Sequence, residues 1–143
     1  MTGTEKKQYK AIFERVGGDR DRADLLFLRW KCLTDLYFLS TEVFGWKNAG
    51  EGKRKRIDPK FHRWLCRILE KGGDNLILIP RGHLKTTFIK AKIVQRILQE
   101  PNIRLGLFSQ SARLVEQSLA DIKRLLALPL VRWLFPDLIP EPG

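Results

Sequence analysis

Cysteine and histidine are scarce in this 143-residue chain, with two of each. Cys32 and Cys66 stand far apart, each inside a helical pattern, and read as small buried hydrophobes. A metal site wants more ligands close together than His62, His83 and these thiols supply. Long apolar runs are also missing. None approaches the ~18 residues that a membrane span needs. The segment Met1 to Lys10 is polar and lysine-rich with no apolar stretch behind it, which is not the pattern of a signal peptide. The expectation is a cytoplasmic protein with no membrane partner. Acidic residues are in short supply as well: 16 against 27 Lys and Arg, a net charge of +11. That excess favours a polyanionic partner but carries no sequence preference, because phosphate contacts mainly position.

What is present suits one globular domain with its own core, at 43% hydrophobic and 30% charged residues. Residues 5–16 form a short, mostly polar helical stretch ending at Gly17-Gly18. A long apolar periodicity then runs from Arg22 to Phe44, with Leu25, Leu28, Cys32, Leu36, Leu39 and Val43 at helical spacing. It predicts one continuous helix buried on two sides. Gly45 to Ile57 breaks the pattern and carries Lys53-Arg54-Lys55-Arg56, an exposed basic loop that is either solvated or touches nucleic acid such as DNA. Asp58-Pro59 opens the next helix, Asp as N-cap and Pro at the first helical position. Phe61, Trp64, Leu65, Ile68 and Leu69 are expected on its apolar face, with Lys60, Arg63 and Arg67 on the other side. Lys71-Gly72-Gly73-Asp74 stops it.

Leu76-Ile77-Leu78-Ile79 is a short continuous apolar run between turn signals, the pattern of a strand covered on both faces. Ile89, Ile93, Val94, Ile97 and Leu98 mark a helix. Ile103 to Phe108 is a second strand candidate, and a further helix runs from Ala112 through Leu126. Strand, helix, strand, helix implies parallel pairing and a right-handed unit. The expected fold is therefore α/β: the start of a three-layer parallel sheet of the P-loop NTPase kind, preceded by an N-terminal helical region. Residues 1–57 would be that helical region with its basic loop. Residues 58–143 would begin the ATPase domain. Two strands alone make a poor sheet, so the domain reads as incomplete.

Between the first strand candidate and its helix lies Pro80-Arg81-Gly82-His83-Leu84-Lys85-Thr86-Thr87. A strand, a tight loop and a helix opening on Lys-Thr is the context of a phosphate-binding loop. Free N–H groups and the helix dipole favour a triphosphate there. Lys85 would reach its β and γ phosphates, the Thr86 hydroxyl would ligate Mg²⁺, and Gly82 would let the backbone turn. The standard pattern is Gly-x-x-x-x-Gly-Lys-Ser/Thr; here Ile79 and Leu84 stand at the two glycine positions.

The loop Leu78 to Thr87 resembles the variant Walker A of the large terminase subunits of tailed bacteriophages, where Pro-Arg-Gly-His-x-Lys-Ser/Thr recurs. Asp58-Pro59-x-Phe61-His62 before it, and Phe108-Ser109-Gln110-Ser111 with the helix from Ala112 after it, extend the resemblance over about residues 57–127. It implies an ATP- and Mg²⁺-dependent motor that packages double-stranded DNA into a capsid in the bacterial host cytoplasm. It further implies a portal protein and a small terminase subunit as partners, and a homo-oligomeric ring. It assigns ATP binding to Pro80, Arg81, Gly82, His83, Leu84, Lys85, Thr86 and Thr87, with His62 near the adenine. It gives Arg81 a role at the γ-phosphate. Arg113, opening the helix after the second strand, matches an arginine that some ring-forming members extend to a neighbouring subunit.

A Walker B strand ending in Asp-Glu is not found. Asp137 lies in a proline-bounded loop, and Glu141 is no better placed. The expectation is an N-terminal segment or truncated reading frame that binds nucleotide weakly without turning it over. Two alternatives stand beside it. A helicase-like P-loop fragment would normally keep the second glycine. A basic nucleic-acid-binding module would use 53–56 together with Lys60, Arg63 and Arg67.

Overall fold

A computed structural model describes residues 1–46 and 57–139. Helix α1 (Gly3–Arg15) starts on a capping box: the Thr2 hydroxyl accepts from the Glu5 N–H while the Glu5 carboxylate accepts from the Thr2 N–H. Gly17 and Gly18, at φ 68° and 83°, reverse the chain. Helix α2 (Arg20–Thr34) returns along α1, capped by Asp19. Ile12, Ala23 and Phe27 form a small core between the two, edged by Tyr9 and Trp30. The Tyr9 hydroxyl donates to Asp24 at 2.7 Å, and Lys31 pairs with Glu5 at 2.9 Å.

The apolar periodicity from Arg22 to Phe44 is not one helix. It breaks at Asp35, whose backbone is extended (φ −132°, ψ 97°). The Asp35 carboxylate accepts from the Phe38 N–H and so caps a new start, α3 (Leu36–Phe38). A π-helical turn, Leu39–Val43, continues it. A capping side chain competes with the helix it interrupts, and hydrophobic spacing does not register that competition.

Helix α4 (Pro59–Lys71) begins as its sequence implies: Asp58 accepts from the N–H groups of Lys60 and Phe61, and Pro59 takes the first helical turn. Helices α5 (Lys85–Gln99), α6 (Ala112–Leu126) and α7 (Pro129–Leu134) follow. Helix α5 is central and packs on α2, α3, α4, α6 and the π turn. The main core joins Cys32, Leu36, Leu39 and Phe44 to Leu65, Cys66, Phe88, Ala91, Val94, Val131 and Leu134. Both cysteines are free thiols inside it, and burial pushes each up to about 12. Gln95 is fully buried yet satisfied: its amide donates to the Cys32 carbonyl at 3.1 Å and accepts from Lys92 at 2.8 Å. Gln99 donates to the Leu33 carbonyl at 2.6 Å. The two glutamines occupy carbonyls that the end of α2 leaves open.

The parallel sheet expected from the sequence is not there. Among the described residues no strand occurs, so the α/β, P-loop NTPase architecture is replaced by an all-helical one. Segments 76–79 and 103–108 are irregular connections. Their backbones make no mutual hydrogen bonds. Ile77 and Ile79 pack on the core, while Leu76 and Leu78 stay 85% and 82% exposed and Phe108 95% exposed. An apolar run encodes the wish to be covered; a strand also needs a neighbour in register, which only the tertiary arrangement supplies.

Glu70 turns back from α4 to accept the Leu36 N–H that opens α3. Its carboxyl is half-buried and its pKa is raised, by desolvation first and by Asp35. Lys92 beside it is lowered by burial, with Glu70 opposing that shift. A carboxyl raised in the fold contributes stability that is complete below its unfolded value near 4.5 and is lost as pH rises through the folded value. Glu70→Gln keeps the acceptor without the charge. Thermal melts from pH 4.5 to 8 should place this variant at or above the parent at pH 7, the difference closing towards pH 4.5. A lower melting temperature at pH 7 would contradict this.

Candidate phosphate-binding loop and its surroundings

The loop between Ile79 and α5 keeps the local geometry of an anion cradle without a sheet beneath it. Gly82 has φ 90°, and Leu84 has φ 53°, ψ 17°. Leu84 stands where the standard motif has its second glycine, and it adopts the left-handed conformation that a glycine would take freely. For a leucine that conformation costs roughly 1–2 kcal/mol, and such strain concentrates at functional sites. Leu84 is also the N-cap of α5 and offers no capping side chain. The first N–H groups of α5 are therefore not taken up by a cap. Pro80, Arg81, Gly82, His83, Leu84, Lys85, Thr86 and Thr87, with Ile79, line one cavity of about 530 Å³. Lys85, half-buried in the first turn, donates to the Ile79 carbonyl at 3.3 Å, so its ammonium lies across the loop mouth. Ile79, at the first glycine position, supplies that carbonyl and packs its side chain on the core.

Arg81 is exposed, and the ring of His83 lies 3.3 Å from the Arg81 carbonyl through Nδ1. Thr86 borders both this cavity and a second groove of about 670 Å³ between α5, α6 and Leu107-Phe108-Ser109. Lys90 and Asp121 close that groove with a 2.6 Å ion pair. Phosphates fit the loop: among the described residues it offers a lysine, backbone N–H groups and no carboxylate. For Mg²⁺ the cavity offers the hydroxyls of Thr86 and Thr87, the remaining ligands falling to phosphate and water. Among the described residues no group of three or more His, Cys, Asp or Glu gathers to hold a metal.

His62 does not line the cavity. It is buried at 3% exposure, stacked on Phe88 at 5.0 Å, with its Nδ1 2.9 Å from the Asp58 N–H and its Nε2 buried without a partner. Its place is under the loop, because Phe88 lies one helical turn beyond Lys85. Arg113 is exposed in the first turn of α6. Lys53, Arg54, Lys55 and Arg56 lie outside the described residues. Trp64 is on the opposite side of α4 from its expected place: it is 51% exposed among the basic residues and tilts against Phe61 at 5.8 Å. Phe61 meets His83 edge-on at 5.5 Å. Helical angle would have found this, since Trp64 lies about 40° from Lys60 around the axis and about 140° from Leu69.

Comparison of the chain with protein-family models, with curated proteins and with solved structures yields no match. No helix among the described residues is long and apolar enough to cross a membrane.

Proposed function

We propose that this chain binds the phosphates of ATP, with Mg²⁺, on the loop Pro80 to Thr87. On this reading it is a nucleotide-holding segment of a DNA-packaging ATPase of the large-terminase type, working on double-stranded DNA. The observation that carries the nucleotide reading is Leu84: a leucine held left-handed at the motif's glycine position, directly before Lys85 and at an uncapped helix start. Anion capture at a helix N-terminus needs N–H groups and a cation, not a sheet, so the reading does not depend on the fold that was expected. The packaging assignment rests on the sequence resemblance over about residues 57–127 alone, and with it the portal protein, the small subunit, the ring and the role of Arg113.

Turnover is a separate matter. Hydrolysis needs a group to orient the attacking water, and among the described residues no carboxylate borders the loop cavity. The 143-residue chain should therefore gain thermal stability from Mg²⁺-ATP and show no steady phosphate release. Measurable multiple turnover by the purified chain would overturn the second expectation, and absence of any thermal shift up to millimolar Mg²⁺-ATP the first.

A further inference from the structure

Helix α4 carries a second feature that the nucleotide reading leaves unused. At about 100° per residue, Lys60, Arg63, Trp64, Arg67 and Lys71 fall within an arc of about 100°. All are exposed. Along the axis they cover about 16 Å at 1.5 Å per residue. His62, Leu65 and Cys66 are buried on the opposite side. The one carboxylate of α4, Glu70, turns away to the Leu36 N–H. Among the described residues, no ion pair neutralises Lys60, Arg63, Arg67 or Lys71. Arg63 is fixed instead over the Tyr37 ring at 4.2 Å, which leaves its charge uncompensated.

We propose that this face of α4 is a binding track for single-stranded nucleic acid, with Trp64 as the platform on which an unpaired base stacks. Charge complementarity selects a polyanion, in keeping with the net charge of +11. The indole selects among polyanions. A duplex presents phosphates to a surface helix and keeps its base faces covered, so it leaves an exposed tryptophan without a role. An unpaired strand offers charge and a π-face at short intervals along its length. The platform is pre-set: Phe61 tilts against Trp64 at 5.8 Å and is braced in turn by His83 at 5.5 Å. Apart from Trp64 the arc is cationic throughout, which does not suit an apolar protein interface. This track is independent of nucleotide capture by the loop.

The test is fluorescence anisotropy of a labelled oligo(dT) and of a duplex of equal length, titrated with the full chain over a salt series. The oligo(dT) should bind more tightly than the duplex. Trp64→Ala should weaken oligo(dT) by about 5- to 150-fold, the range of one lost base stack, and Trp64→Phe should retain most of the affinity. Arg67→Gln with Lys71→Gln should lower the slope of log affinity against log salt by roughly 1 to 1.5. Trp64→Ala should leave the melting temperature and the Mg²⁺-ATP response unchanged, since the side chain is half outside. Duplex bound as tightly as oligo(dT), or equal oligo(dT) affinity in Trp64→Ala, would overturn the proposal. So would preference for an acidic peptide or anionic vesicles over oligo(dT). Failure of the nucleotide reading alone would remove the ATP shift and leave every oligo(dT) result standing.

Discussion

Phe88→Ala is expected to cost about 3–5 kcal/mol of folding stability, the range for truncating a fully buried phenylalanine. Phe88 has no exposure and heads the fully buried side chains in volume. It stacks on His62 at 5.0 Å and meets Trp46 edge-on at 5.5 Å, so it ties α5 both to α4 and to the segment after the π turn. The surrounding helices cannot close the gap without moving the aromatic pairs, and the cavity term adds to the lost transfer energy. A domain of ordinary stability has roughly 5–15 kcal/mol in hand, so the loss is a large share. Urea titration reads it as a lower midpoint at unchanged slope. A loss below about 1 kcal/mol would mean that the core as described is not the core in solution.

Lys85→Ala is expected to abolish the stabilisation by Mg²⁺-ATP, which amounts to about 2.7 kcal/mol at a hundredfold excess over the dissociation constant. The unliganded protein should hardly notice, because among the described residues the one polar contact of the Lys85 side chain is its 3.3 Å hydrogen bond to the Ile79 carbonyl. The contrast isolates ligand binding from folding. Leu84→Gly sharpens it: glycine adopts φ 53° without the steric cost, so the loop keeps its shape and its affinity while the strain is relieved. Thr86→Ala should lose the part of the effect that depends on Mg²⁺. A Lys85→Ala chain that still responds to Mg²⁺-ATP like the parent would sink the loop as a phosphate site.

These two residues sit one helical turn apart on α5, and they differ in how far the sequence announces them. The Lys85-Thr86 context is legible because its parts are contiguous: a glycine that turns, a lysine and threonine that open a helix. The left-handed Leu84 is not. The sequence presents it as a missing glycine, and only the backbone tells that the glycine's conformation is retained. His62 differs again. The resemblance implies a place near the adenine, while the structure stacks the ring on Phe88 in the interior. That contact links residues in different helices, and no local pattern encodes it.

By itself the sequence determines several of the helix starts. Thr2, Asp19, Asp58 and Ser111 each cap the helix that follows, through side-chain oxygens acting within a single turn. Such interactions are complete within a few residues, so they can be read along the chain. The tertiary structure alone decided the fate of 76–79 and 103–108, through competition between partners distant in sequence. A strand exists only when a second backbone meets it in register, and here a helix, α5, takes the central place that a sheet was expected to fill.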